Sequence, residues 1–223
     1  MAFRILLADD HEVVRRGLMV LLRAQPGWEV CAEAIDGRDA VDKAVKLNPD
    51  VAILDIGMPN LNGLEATRQI LKARPQIRVL ILTLHDSEQV IQEVLNAGAR
   101  GFLLKTDAAR ELVVAVESLR KNKTYFTPKV ASMVLEGYLH RDEKPTSPPL
   151  PSRNRLTARE REIVQLLAEG KSSREVAEAL GLSVKTAETH RANIMRKLDL
   201  HSVSDLVHYA VRHNIVQVVR PPF

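Results

Sequence analysis

Five polar residues stand where apolar, strand-like runs stop. Asp9 and Asp10 follow Phe3 to Ala8, Asp55 follows Asp50 to Leu54, Thr83 follows Arg78 to Leu82, and Lys105 follows Phe102 to Leu104. If these runs lie side by side in one doubly wound sheet, their ends open onto a single crevice and the five side chains meet there. Three carboxylates gathered in this way repel one another unless a cation is present, and oxygen donors of this kind suit Mg²⁺. A carboxylate is also a nucleophile toward phosphorus. Asp55 is the candidate: attack by its oxygen would give an acyl phosphate, while a metal ion and the Lys105 ammonium neutralise charge developing on the transferred oxygens. Taken singly, each residue has a plainer use, as a helix cap, a turn residue or a solvated lysine. The combination is what selects phosphoryl chemistry. Capping and ligation do not exclude each other for Asp10, since a cap uses one side-chain oxygen and leaves other lone pairs open to a metal.

The elements that must position these residues can be read from periodicity. Strands are expected near 3–8, 28–34, 50–54, 78–82 and 102–104, and helices near 12–24, 37–47, 64–73, 87–97 and 108–121. Strands separated by helices are not hairpin partners, so the sheet should be parallel and covered on both faces. Runs such as Val51-Ala52-Ile53-Leu54 agree, because a strand buried on both sides need not alternate. The expected fold class is α/β, a five-stranded doubly wound parallel sheet of flavodoxin-like order, joined to an all-α domain of four helices. Cys31 lies in the second strand-like run with no partner for a disulfide or a zinc site, and reads as a buried apolar side chain.

A further helix is expected over 128–139, with Pro128 in its first turn. Beyond it the chain becomes charged and then Pro-rich, with four prolines between Pro145 and Pro151, which favours an extended spacer. Helical periods resume at 158–169, 173–180, 184–198 and 203–213, punctuated by Gly170 and Gly181. The resulting division is 1–126 for the sheet domain, 127–153 for a helix and linker, and 154–223 for the helical domain. Charge follows the same division. Residues 1–127 hold 17 basic and 17 acidic side chains, whereas the remainder holds 15 against 11, so the whole formal excess of +4 falls in the C-terminal part. That suits a polyanionic partner for that part alone.

Within the helical part, Thr157 with Glu160 three positions on makes a capping box, and Ser183 is a good N-cap for the run from Val184 to Leu198. Ala187, Ile194 and Leu198 recur at helical spacing and should hold that run to its neighbours. Short polar and basic side chains are left outward, and at the N-terminal end of a helix these suit a DNA major groove.

Two resemblances follow from these residues. Asp9-Asp10, the stretch Asp55-Ile56-Gly57-Met58-Pro59 with Gly63, Thr83 and Lys105 together resemble the receiver of a response regulator, over about the first 125 residues. The resemblance implies that Asp10, Asp55 and the Gly57 carbonyl bind Mg²⁺, with Asp9 acting partly through water. It further implies that Thr83 and Lys105 contact the phosphoryl group, and that a histidine kinase phosphorylates Asp55. Phe102 resembles the aromatic switch position that changes exposure together with the Thr83 hydroxyl. His85 is read as an exposed loop residue outside the site. Thr106 stands where many receivers carry a proline in a cis peptide, a bond that costs about 2.5–4 kcal/mol without proline, which leaves the local loop geometry open.

The run from Leu156 to Leu198 resembles the LuxR/FixJ helix-turn-helix, through Leu156-Thr157-Ala158-Arg159-Glu160, Glu175-Val176-Ala177, Ser183-Val184-Lys185-Thr186 and His190. By position this implies DNA-facing roles for Lys185, Thr186, Glu188, Thr189, Arg191 and Asn193, with Lys197 on a phosphate and His190 in packing. Ala187 replaces the valine common in the family. Glu188 repels phosphate and helps only by accepting from a base such as cytosine. The stripe Val203, Leu206, Val207, Ala210 and Val211 implies core packing and, in the family, a homodimer on a two-fold site. The whole chain is thus expected to be a NarL/FixJ-type response regulator acting on double-stranded DNA.

Other classes are disfavoured. Apolar content of 45% and charged content of 27% are usual for globular proteins, no apolar run approaches a membrane span, and the start lacks a signal-peptide core, so a cytoplasmic location without membrane partners is expected. An aspartyl-phosphate hydrolase would need Mg²⁺, an Asp nucleophile and a Lys, but such enzymes carry a general acid two residues after the nucleophile, where this chain has Gly57. The chain is therefore not expected to be an enzyme. A DNA-binding protein whose receiver serves only dimerisation remains the other alternative.

Overall fold

The computed structural model describes residues 2–84, 87–127, 130–132 and 156–216, and the chain divides into two compact units. In the first, β1 (Phe3–Ala8), β2 (Trp28–Ala34), β3 (Val51–Asp55), β4 (Arg78–Thr83) and β5 (Gly101–Leu104) alternate with α1 (Glu12–Arg23), α2 (Gly37–Leu47), α3 (Gly63–Ala73), α4 (Glu88–Ala97) and α5 (Ala108–Arg120). The strands pair in parallel in the order β2-β1-β3-β4-β5. This is the expected doubly wound sheet, with β1 and β3 adjacent at its centre.

Both faces of the sheet are buried, which accounts for the unbroken apolar runs. Along β1, Leu6 and Ala8 join one core layer, while Ile5 and Leu7 join the other. The first layer is completed by side chains of α2, α3 and α4, such as Ala40, Ile70 and Val94. The second is completed by α1 and α5, through Leu22, Leu112 and Val116.

Two glycines fix the loop that leaves β3. A Cβ on Gly63 would lie 2.0 Å from the Asp55 carbonyl oxygen, and one on Gly37 would lie 1.9 Å from that of Leu61. Only residues without a side chain allow these approaches. The loop is held further by the Gly63 amide donating to the Ile56 carbonyl at 3.0 Å and by Asn60 Nδ2 donating to Asp36 Oδ2 at 3.1 Å. Asp36 also caps α2 by accepting from the Arg38 and Asp39 amides, and Asn62 caps α3 by accepting from the Glu65 amide.

After α5 the chain returns to the edge of the sheet. The Tyr125 amide donates to the Arg100 carbonyl at 3.0 Å, and the Phe102 amide donates to the Tyr125 carbonyl at 2.9 Å. Residues 130–132 are helical, and the rest of the helix expected over 128–139, the Pro-rich linker and His85 lie outside the described residues.

The second unit contains α6 (Ala158–Ala168), α7 (Ser173–Leu180), α8 (Val184–Leu198) and α9 (Val203–Arg212) around a core that includes Ile163, Leu166, Val176, Ala187, Ile194, Leu206 and Ala210. Capping boxes open α6 at Thr157, α7 at Ser172 and α9 at Ser202. Among the described residues, no helix is long and apolar enough to cross a membrane.

Cys31 and Asp10 are placed differently from what their sequence positions suggest. Cys31 is only partly buried, and its thiol donates to the Ile5 carbonyl at 3.4 Å, so it is not a plain apolar core residue. Asp10 does not cap α1. The N-cap is His11, which makes no side-chain cap hydrogen bond, and Asp10 lies 2.7 Å from the His11 ring.

Candidate functional site

The sheet delivers the pocket residues through its register. Asp55, the last residue of β3, pairs with Leu82, and Thr83, the last of β4, pairs with Leu104. The Lys105 amide donates to the Thr83 carbonyl at 2.8 Å, so the lysine leaves the sheet one residue beyond the threonine. Asp9 continues β1, and its amide donates to the Ala34 carbonyl of β2 at 3.2 Å. Arg15 of α1 braces this point by donating to the Asp9 carbonyl at 2.8 Å while its Nε meets Glu33 of β2.

The Lys105 ammonium lies 2.8 Å from Asp9 Oδ2 and 2.9 Å from Asp55 Oδ2. Asp9 is fully buried, and the Asp55 and Lys105 side chains are nearly so, at 3% and 8% exposure. Burial pushes the Asp55 carboxyl above the usual carboxylate range, with Lys105 opposing and the Asp9 charge adding to the rise. For Lys105, burial works against the charge, but Asp55 and then Asp9 outweigh it and hold the ammonium above its ordinary pKa. The pair is therefore a buried ion network with an excess of carboxylate.

That excess bears on a cation. Ligand atoms of Asp9, Asp10, His11 and Asp55 all lie within 4.8 Å of one another. Asp9 Oδ2 and Asp10 Oδ1 are shut off from water without a hydrogen bond of good geometry; their nearest charged or polar neighbours are Lys105 Nζ and, at 2.7 Å, His11 Nδ1. Buried carboxylate oxygens in that condition suit a hard cation, so the donor set fits a divalent ion of the Mg²⁺ kind. Gly57 lies two residues beyond Asp55 in the glycine-fixed loop and is partly exposed. His11 is not among the residues that the sequence singles out, and its place directly after Asp9-Asp10 is the signal that points to it.

Thr83 and Phe102 are both buried, at 0% and 1% exposure, and Phe102 sits in the core layer that α2, α3 and α4 cover. No cis peptide occurs among the described residues, including the bond to Thr106.

The second candidate site is the outer surface of α8. Lys185, Thr186, Glu188, Thr189 and Asn193 are exposed, while Arg191, Lys197 and His190 are partly covered. Ser183 Oγ caps the helix by accepting from the Thr186 amide and also lies 2.7 Å from Thr186 Oγ1. Thr189 donates its hydroxyl to the Lys185 carbonyl, and Arg196 donates to Asn193 Oδ1 at 2.9 Å. Lys197 differs from the others, since its ammonium is 2.7 Å from Glu160 Oε2. Burial alone would raise the Glu160 pKa, but hydrogen bonds from Lys197 and Thr157 lower it. Glu160 thus closes the α6 capping box and ties α6 to α8 at once.

Comparison with known proteins bears on both sites. Residues 5–117 match the family model described as response regulator receiver domain, and residues 154–210 match that of bacterial regulatory proteins, luxR family. The oxygen regulatory protein NreC of Staphylococcus haemolyticus (strain JCSC1435) is 39% identical over 217 residues, covering 96% of this chain and 99% of that protein. The transcriptional regulatory protein LiaR of Bacillus subtilis (strain 168) is 40% identical over 213 residues, again covering 96% and 99%. Among solved structures, one of two RcsB dimers bound to two parallel DNAs is 27% identical, covers 94% of this chain and 98% of that one, and superposes with a TM-score of 0.55.

Proposed function

We propose a mechanism that starts from one fact: the chain belongs to the two-component response regulators that join a receiver to a LuxR-type DNA-binding domain. Asp55 is the phosphoacceptor. One of its carboxylate oxygens attacks the phosphorus of a phosphohistidine on a histidine kinase, a P–O bond forms as the P–N bond breaks, and the electron pair returns to the leaving imidazole. Lys105 holds Asp55 beforehand and moves with the transferred oxygens, and the Thr83 hydroxyl donates to one of them. Asp10, Asp55 and the Gly57 carbonyl would hold Mg²⁺, with Asp9 partly through water, and the ion would neutralise charge on the phosphoryl oxygens. The observation that carries this reading is the contact of one buried ammonium with both Asp9 and Asp55, at 2.8 and 2.9 Å.

Phosphorylation biases a pre-existing equilibrium in which Thr83 and Phe102 change position together, favouring a homodimer that binds a two-fold site on DNA. Lys185, Thr186, Glu188, Thr189, Arg191 and Asn193 of α8 enter the major groove, and Lys197 reaches a phosphate once released from Glu160. The working boundaries are 1–126 for the receiver, 127–153 for the linker and 154–223 for the DNA-binding domain. Its place is the cytoplasm, where kinase phosphohistidine and chromosomal DNA are both accessible.

The test is intact mass after incubation with Mg²⁺ and acetyl phosphate, beside an Asp55→Asn control, followed by DNA affinity in both states. One Mg²⁺-dependent phosphoryl adduct on the wild type, none on the control, and tighter DNA binding by the adduct are expected. A folded wild type that takes no adduct from acetyl phosphate or from its kinase would overturn the role of Asp55 and favour a receiver that serves dimerisation alone.

A further inference from the structure

The stretch of chain that leaves the receiver is built into its sheet. Tyr125 places its amide on the Arg100 carbonyl and its carbonyl on the Phe102 amide, so it brackets β5 in parallel register with Gly101. Its neighbours alternate as in a strand: the Tyr125 side chain packs on the core layer shared with α1 and α5, and Phe126 packs on the opposite layer. Val130, at 1% exposure, belongs to that same layer, and so does Phe102. The Tyr125 hydroxyl donates to the Glu111 carboxylate of α5. Burial, followed by the Glu111 contact, pushes the phenol up to about 12, so it remains a donor throughout the physiological range.

We propose that residues 124–127 form a strap on β5 that couples the position of Phe102 to the chain running toward the DNA-binding domain, with the Tyr125 to Glu111 hydrogen bond as its latch. The inference rests on the reading of Asp55 and Phe102 given above. Phe102 is tied to the strap twice, through its own amide and through the core layer that it shares with Phe126 and Val130. A packed layer responds to a displaced ring by repacking as a unit, because close-packed interiors leave no slack to absorb it. Displacement of the Phe102 ring would therefore alter the seat of Phe126 and Val130, and the strap would carry the change out of the domain along the main chain. Tyr125 is a positioning residue in this scheme and touches no phosphoryl group.

The experiment uses the full chain as wild type, Tyr125→Phe and Phe126→Ala. Each is phosphorylated with acetyl phosphate, and its DNA affinity is measured with and without the phosphoryl group. Both variants are expected to accept phosphate at the wild-type rate. The ratio of the two DNA affinities is expected to shrink by about 5-fold or more, a size usual for coupling between sites. Hydrogen exchange on the wild type should show protection changing together at residues 101–104 and 124–127 on phosphorylation. Retention of the full ratio in both variants, or a change in protection at β5 without one in the strap, would overturn the strap alone. A wild type that is phosphorylated without any change in DNA affinity would sink the coupling together with the switch reading on which it depends. If either variant misfolds, the wild-type exchange result decides.

Discussion

The acidic pocket and the surface of α8 are both sets of polar side chains assigned to an anionic partner, yet they are built in opposite ways. In the pocket, Asp9, Asp55 and Lys105 come from the ends of three strands, are almost fully buried and lie in contact with one another. On α8, Lys185, Thr186, Glu188, Thr189 and Asn193 come from one helix and are exposed, and the side-chain hydrogen bonds of Thr186, Thr189 and Asn193 stay within that helix and its cap. A buried network is costly to break because its members cannot turn to water, whereas exposed side chains can be exchanged one at a time at little cost to the fold. The proposed chemistry thus sits where the environment is fixed, and the proposed recognition where it can vary.

The largest effect that would sharpen this contrast is expected from Lys105→Ala. Removing the ammonium leaves two carboxylates buried without their cation, a situation that costs about 3 kcal/mol or more. Urea denaturation with and without Mg²⁺ should show that loss, and Mg²⁺ should restore more stability to the variant than to the wild type. The pH dependence has a definite sign. Because the folded pKa of Lys105 is raised, its stabilisation is fully present below the ordinary lysine pKa of 10.5 and fades only as pH rises through the higher folded value. A cost under about 0.5 kcal/mol would put Lys105 in the class of surface residues and break the comparison.

On α8 the balance should reverse. Thr186→Ala is expected to leave thermal stability within about 0.5 kcal/mol while costing about 1–3 kcal/mol in specific DNA affinity, if its hydroxyl reads a base. Titration calorimetry against a specific and a scrambled duplex separates that loss from a general weakening. Equal losses on both duplexes would move Thr186 from base reading to backbone positioning.

The smallest effect is expected at a contact where α8 resembles the pocket. Glu160→Gln weakens the tie to Lys197, and a partly exposed pair of this kind contributes about 1 kcal/mol or less. The folded pKa of Glu160 is lowered, so its contribution is present above the unfolded value near 4.5 and is lost as pH falls through the lower folded value. Thermal melts of wild type and variant should therefore differ at pH 7 and converge in acid. Convergence in alkali instead would mean that the pair is not what holds Glu160.

Much of this was legible in the sequence because it is local or periodic. The strand and helix limits fall within a residue or so of expectation, and Asp9, Asp55 and Lys105 meet as the strand-end argument requires. What escaped depends on elements distant in the chain. Nothing in the spacing of Glu160 and Lys197 announces an ion pair between α6 and α8, since their meeting depends on how the two helices cross. Gly37 could be read as the start of a helix, but not as the seat for the Leu61 carbonyl. The contact of Asp10 with the His11 ring, in place of a cap on α1, is likewise not fixed by spacing. The β5 strap was equally hidden: Tyr125 and Phe126 fall between the helix expected to end at 121 and the linker expected to begin at 127, and nothing local pairs them with a strand.

The contact between Gly63 and the Asp55 carbonyl has a consequence for how this chain can change. Side chains around a reactive residue can usually drift in concert, one shrinking as another grows. Here Asp55 is approached main chain to main chain, at a spacing that leaves no room for a Cβ on Gly63. That position is therefore closed to any residue but glycine unless the start of α3 moves away from β3, so the first turn of α3 and the end of β3 can change only together.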